Sequence, residues 1–213
     1  MAYFIKEIFY SLQGEGINTG RPAVFVRFSG CNLWSGRPED RTKIPCPFCD
    51  TDFVGTDGPL GGQYRTVRDI IPAMESCLPA AQKRGDTPRF TVLTGGEPAL
   101  QADKDLIDGL HAQNWEIAIE TNGTCPIPDN IDWITVSPKA GCRLVVTSGN
   151  ELKLLFPQAT DPASFEALQY SHFIIQPIHD ASYRENERLA IQYCLDHPRW
   201  RFGIQLHKIL GIK

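Results

Sequence analysis

Short runs of β-branched and aromatic residues alternate along this chain with segments whose apolar residues recur at helical spacing. That alternation restricts the fold more than any other feature, because strand followed by helix builds βα units and a mostly parallel sheet. Strands are expected over 23–28, 90–93, 116–120, 133–136, 152–156, 173–176 and 201–206. Val67, Ile70, Ile71, Met74 and Leu78 place a helix over 66–80. Leu106, Ile107 and Leu110 form the apolar face of a second over about 101–113, a short helix follows Asp161, and another covers 183–195. Six or seven strands are too few for eight full units. The expected architecture is an α/β fold, a partial, open (β/α)6-like barrel with parallel strands, in one domain over residues 1–213; an open doubly wound sheet is the alternative.

The 213 residues suffice for one sizeable core. Lys plus Arg is 21 and Asp plus Glu is 25, so the net charge is −4. That balance argues against nucleic acid as partner, since a phosphate-backbone binder carries a basic surplus. No apolar run reaches the ~18 residues of a membrane span. The N-terminal MAYFIKEIFYSLQGEG carries Lys6, Glu7 and Glu15 among its apolar residues, unlike a secretory signal. Seven cysteines without such a signal disfavour a disulfide framework. Cysteine chemistry in a reducing, cytoplasmic compartment is expected instead.

The unusual residues stand just after the expected strands: Gly30-Cys31-Asn32, Thr94-Gly95-Gly96-Glu97-Pro98, Thr121-Asn122-Gly123, Ser137-Pro138-Lys139 and Pro177-Ile178-His179. In parallel α/β folds the carboxyl ends of strands share one face, and ligands bind there. Cys31, Cys46 and Cys49 follow the spacing C-x14-C-x2-C. A C-x2-C pair alone suits structural zinc, but a closed zinc site needs four ligands and the nearest histidine, His111, is far along the chain. A redox dithiol is a further alternative. Three thiolates on one loop suit a [4Fe–4S] cluster with one iron left open, able to hold the amino and carboxylate groups of S-adenosylmethionine (SAM). Cys77 and Cys194, in expected helices, read as packing residues, and Cys125 and Cys142 show no ligating spacing.

With the three-cysteine loop, Thr94-Gly95-Gly96-Glu97-Pro98 resembles the GGEP segment of the radical SAM superfamily. The superfamily's usual spacing is C-x3-C-x2-C, from which this chain departs in the first gap. Nearly the whole length resembles one family within it, the 7-carboxy-7-deazaguanine synthases of queuosine precursor synthesis, some of which carry an expanded cluster loop. The resemblance is carried by FYSLQGEG at 9–16, VRFSGCNL at 26–33, Cys49-Asp50-Thr51, Glu120-Thr121-Asn122-Gly123, Ser137-Pro138-Lys139, Gln176-Pro177 and QLHK at 205–208.

The resemblance implies a radical SAM carbon–nitrogen lyase that contracts 6-carboxy-5,6,7,8-tetrahydropterin to 7-carboxy-7-deazaguanine with loss of ammonia. It also implies Mg²⁺, an electron donor such as flavodoxin, and a homodimer. A glycyl-radical-enzyme activase and a non-enzymatic zinc-stabilised binding module are the alternatives. Arg27 lies mid-strand, where a charge is costly unless paired; its fork suits a substrate carboxylate or an internal salt bridge. Leu12, Gln13 and Gly14 form a turn whose backbone can meet the pterin, or only a hairpin. Thr94 ends its strand facing the mouth. Glu120 can accept from the pterin edge or from ribose hydroxyls. Thr51, otherwise a loop residue, matches the family's magnesium ligand. For SAM the implied residues are Phe48, Cys49, Asp50, Gly96, Ser137, Pro138, Lys139, Gln176, Pro177, Ile178 and His179, though His179 reads equally as a surface loop residue. His207-Lys208 lines the site or belongs to a solvated tail. The terminal carboxylate of Lys213 is expected to fold back and touch substrate.

Overall fold

The computed structural model describes residues 2–83 and 89–213. One sheet holds nine strands: β1 (Tyr3–Leu12), β2 (Pro22–Phe28), β3 (Gly62–Tyr64), β4 (Arg89–Gly95), β5 (Trp115–Thr121), β6 (Trp133–Val136), β7 (Ser148–Phe156), β8 (Gln169–Pro177) and β9 (Trp200–Phe202). Their spatial order is β3-β1-β2-β4-β5-β6-β7-β8-β9. The strands from β2 across to β9 pair in parallel, while β1 and β3 pair antiparallel at one edge. β3 and β9 stand at opposite ends, so the sheet is open, as expected. No described helix is long and apolar enough to cross a membrane.

Helices α1 (Val67–Ser76), α3 (Lys104–His111) and α4 (Tyr183–Asp196) cover the outer face; α2 (Ala80–Lys83) and α5 (Leu206–Leu210) are short. The Asp69 carboxylate accepts from Thr66 N at 2.9 Å, and Asp103 accepts from Leu106 N at 3.0 Å, so each side chain satisfies an otherwise orphan amide in a first turn. α3 buries Leu106, Ile107 and Leu110, the face expected. The helix expected over 66–80 divides into α1 and α2, because Pro79 offers no N–H to continue the ladder. The helix expected after Asp161 is a single 3₁₀ turn, Pro162–Phe165.

Two differences bear on the site. β1 is a ten-residue strand where none was expected, and a register shift lies between Ile5 and Glu7. Tyr3 and Ile5 before the shift, and Ile8 after it, all face the helix-covered core. The extra residue thus reverses the alternation and turns Glu7 and Phe9 to the inner face. The last strand was expected to run to Leu206; it stops at Phe202, and Leu206 opens α5.

Period-two alternation sorts each strand between its two faces. Val24, Val26 and Phe28 pack outward under α1 and α3, as do Ile117 and Ile119. Leu152 and Leu154 pack outward with α4. Arg27, Thr94, Glu120, Lys153 and Gln176 therefore point inward near the carboxyl ends of β2, β4, β5, β7 and β8, round one cavity.

Candidate functional site

The cavity is lined by Cys31, Cys46, Cys49, Phe48, Asp50, Thr51, Gly96, Ser137 and Lys139. Leu12, Gln13, Gly14, Glu15, Arg27, Glu120, Lys153, His207 and Lys213 stand on the same wall, with Thr94 and Gln176. Four expected residues are not on that wall: Pro138, Pro177, Ile178 and His179. The Ile178 backbone is committed to the fold, its N–H to Phe156 O at 2.8 Å and its C=O to Asn186 Nδ2 at 2.9 Å. His179 is exposed, 4.6 Å from the Tyr183 ring.

The long cysteine loop has its own scaffold. The Arg41 guanidinium donates to the carbonyls of Pro47 and Cys49, each at 2.8 Å, and lies 4.4 Å over the Trp34 ring. Trp34 meets Phe53 edge-on at 5.5 Å. Ser35 donates to Asp40 at 2.7 Å beside the 3₁₀ turn Pro38–Lys43. These contacts return the chain so that Cys46 and Cys49, linked by a Cys49 N to Cys46 O bond of 3.0 Å, face the same cavity as Cys31. Burial pushes the Cys46 thiol up to about 11, against the pull of Lys139, and also raises Cys31. Among the described residues no three His, Cys, Asp or Glu side chains are gathered as a metal cage.

The donor set nonetheless fits an iron–sulfur cluster and an amino-acid ligand. Three thiols share one wall, and thiolate is the ligand such clusters take. A Cβ on Gly96 would lie 2.0 Å from Gly30 O and 3.0 Å from Cys31 Cβ, so only glycine lets this strand end approach the cysteine loop. Gln176 Oε1 and Gln205 Oε1 are buried acceptors on the cavity wall without a partner among the described residues, and a ligand N–H satisfies either. Lys139 is held by the Ser137 carbonyl and hydroxyl at 2.7 and 2.8 Å; burial lowers its pKa.

Glu97, the carboxylate of the GGEP segment, does not face the cavity. It is fully buried and accepts from Ala99 N at 2.9 Å, Thr121 Oγ1 at 2.6 Å and Asn122 N at 2.7 Å, so it ties the end of β4 to the end of β5. Glu97→Gln turns an amide donor toward these donors. It is expected to cost about 2 kcal/mol and lower Tm by about 4–8 °C. Glu116→Gln, at a half-exposed pair with Arg21, is expected to shift Tm by less than about 3 °C. A Glu97→Gln melt equal to that of Glu116→Gln would show that the tie contributes nothing.

Charged groups are concentrated on the same wall. Arg27 gives Nε to Glu7 at 2.9 Å, while its two terminal nitrogens make no hydrogen bond among the described residues. The internal salt bridge and a free guanidinium edge therefore coexist. Lys213 also pairs with Glu7, and its carbonyl oxygen accepts from Ser11 Oγ at 2.6 Å. His207 packs on Gly14, where a Cβ would come within 2.3 Å of the His207 Nδ1. Lys208 pairs with Asp50, so α5 bridges the turn after β1 and the cysteine loop. Glu120 accepts from Gln13 Nε2 at 2.9 Å and Thr94 Oγ1 at 3.3 Å. Glu7, Glu15, Lys153 and Gln205 were not expected at the site. The signals were Lys153 itself, a charge between Leu152 and Leu154 in a strand, and the segments FYSLQGEG and QLHK that contain Glu15 and Gln205.

An open parallel sheet with three cysteines and a glycine-rich strand end on one cavity defines the radical SAM class of α/β folds. No family model matches the chain. It is 54% identical to the 7-carboxy-7-deazaguanine synthase of Nitratidesulfovibrio vulgaris (strain Hildenborough) and 53% identical to that of Burkholderia multivorans, in each case over 100% of both chains. The crystal structure of QueE from Escherichia coli is similar, with TM-score 0.68, 28% identity and coverage of 97% of this chain and 95% of that one. The chain belongs to the 7-carboxy-7-deazaguanine synthase family.

Proposed function

We propose that this chain is a radical SAM lyase that converts 6-carboxy-5,6,7,8-tetrahydropterin to 7-carboxy-7-deazaguanine with loss of ammonia. The observation that carries the reading is one cavity whose wall holds three thiols together with Arg27 and the Glu120–Lys153 charge cluster. When bound, the cluster and SAM supply the 5′-deoxyadenosyl radical that removes a hydrogen atom from substrate. Cys31, Cys46 and Cys49 hold the cluster. Phe48, Cys49, Asp50, Gly96, Ser137, Lys139 and Gln176 hold SAM; the Gly96 backbone meets its amino group, and Gln176 Oε1 takes an N–H. Arg27 offers its free guanidinium edge to the substrate carboxylate. Leu12, Gln13, Gly14 and Thr94 wall the ring, and Glu120, bonded to both Gln13 and Thr94, serves the pterin rather than the ribose. The enzyme acts in the cytoplasm as a homodimer with an external reductant such as flavodoxin. Anaerobic incubation with SAM, dithionite and the tetrahydropterin, read by mass spectrometry, is expected to give the deazaguanine acid and ammonia. Cleavage of SAM without this product would overturn the assignment.

Thr51, on the cavity wall beside Asp50, is the proposed protein ligand of Mg²⁺, which keeps several waters and takes substrate oxygens as well. Thr51→Ala is expected to need about ten times more Mg²⁺ for half-maximal rate, with iron content unchanged. An unaltered Mg²⁺ titration would remove Thr51 from the metal site.

A further inference from the structure

Lys153 is a buried charge on the cavity wall: its side chain is 6% exposed, and it lies on the inward face of β7 between Glu151 and Leu155. It pairs with Glu15, and its Nζ stands 3.7 Å from Glu120 Oε1. Gln13 Nε2 reaches the same oxygen, so Glu120 Oε1 is held from two sides. Among the described residues Glu120 Oε2 has only the long contact from Thr94, and it keeps lone pairs for a ligand. Glu15 is itself fixed by Gln205 Nε2 at 2.8 Å. Burial alone would lower the Lys153 pKa; Glu120, Glu15 and Glu151 reverse this and hold the ammonium charged. Burial likewise raises Glu15, but Lys153 and Gln205 outweigh it and keep that group ionised. Glu151, which accepts from Ile17 N at 2.8 Å, is driven up by burial.

We propose that Lys153 is the positioning residue for pterin specificity: it fixes Glu120 as an oriented carboxylate that reads the guanidine-like N–H edge of the substrate. This deepens the proposed function and rests on it. One ammonium against the two carboxylates of Glu15 and Glu120 leaves a net negative charge at the wall. Such a wall favours two N–H donors and repels a carbonyl. Without Lys153 the Glu120 carboxylate keeps only Gln13 and Thr94 to orient it among the described residues, and the match is loosened. Lys153 touches Glu120, not the substrate, so its effect is on which ring edge is accepted.

The test compares two fluorescent probes on the cluster-loaded enzyme with S-adenosylhomocysteine, which has no sulfonium to react, in place of SAM. 6-Carboxypterin carries the amino group at C2, and 6-carboxylumazine carries a carbonyl there. The wild type is expected to prefer the pterin by about 100-fold, as a site built on hydrogen bonds discriminates. Lys153→Met alone strands two carboxylates, so the principal variant is Lys153→Met with Glu15→Gln. It is expected to bind 6-carboxypterin at least about 30-fold more weakly and 6-carboxylumazine within about 3-fold of wild type, with SAM binding and iron content unchanged. Lys153→Arg, which keeps the charge, should retain most of the preference and guards against loss of the double variant to misfolding. A double variant that keeps the wild-type preference, or Lys153→Arg losing preference while still folded and binding SAM, overturns the role of Lys153 and leaves the proposed function standing. A wild type without preference for the pterin overturns both.

Discussion

Cys46→Ala is expected to abolish iron binding and turnover together, iron falling from ~4 per chain to below about one after anaerobic reconstitution. The reason lies in the number of thiols. The cavity wall carries only Cys31, Cys46 and Cys49 among the described cysteines, so removing one leaves two ligands for a cluster that needs three. Neighbouring groups offer no substitute. Lys139 lies beside Cys46 but has no acceptor lone pair while charged, and Glu97 is committed to Ala99, Thr121 and Asn122. Cys31→Ala and Cys49→Ala are expected to behave alike. Cys77→Ala and Cys194→Ala are the controls. Cys77, at the end of α1, stands 3.6 Å from Ala73 O, and Cys194 on α4 packs against the β6–β9 core. Their loss is expected to lower stability by about 1 kcal/mol and leave iron content at the wild-type level. A Cys46→Ala protein that binds four irons and cleaves SAM would end the assignment.

The parallel strands were legible because each is buried on both faces and reads as an apolar run with turn residues behind it. Val24-Phe25-Val26 packs outward with two residues and inward with the third, and no competing pattern disturbs it. β1 was not legible. Ile5 and Ile8 share a face only because of the shift before Glu7, and their three-residue spacing fits no two-residue period. Where α5 begins was hidden for a related reason. Gly203 N bonds to Ile175 O at 2.8 Å and Leu206 N to Gly14 O at 2.8 Å, so tertiary contacts end β9 and start the turn.

At the site, residues that chemistry marks singly were readable: three cysteines, a glycine pair, an arginine inside a strand. Residues that act through pairing were not. Glu7 serves Arg27 from 20 positions away, and Gln205 serves Glu15 from 190 away. Nothing local announces such partners. Glu97 lies in the motif segment that follows β4, and its three donors place it in the frame. Pro177 and Ile178 stood directly after a strand, yet the Ile178 backbone spends its bonds on Phe156 and Asn186.

Adding a few residues after Lys213 is expected to raise KM for the tetrahydropterin at least about 30-fold while SAM affinity and iron content stay at wild-type values. The chain end is held in place from several directions. Leu206 N bonds to Gly14 O at 2.8 Å, Lys208 pairs with Asp50, Ser11 Oγ donates to the Lys213 carbonyl oxygen at 2.6 Å, and Lys213 Nζ pairs with Glu7. Lys213 therefore stands on the cavity wall that also carries Arg27. Chain added there crowds the wall, and loss of one charge-assisted contact to substrate costs about 2–3 kcal/mol, hence the expected factor. Deleting Gly211 to Lys213 frees Ser11 and Glu7 of their contacts with this segment, and is expected to act in the same direction. Lys213→Met separates the main chain from the side chain. Its ammonium is half-exposed, so the pair with Glu7 is screened, and KM is expected to change by less than about 5-fold. Extension and deletion with wild-type KM would show that the terminus has no part in binding substrate. A large effect of Lys213→Met alone would move the role from the main chain to the ammonium.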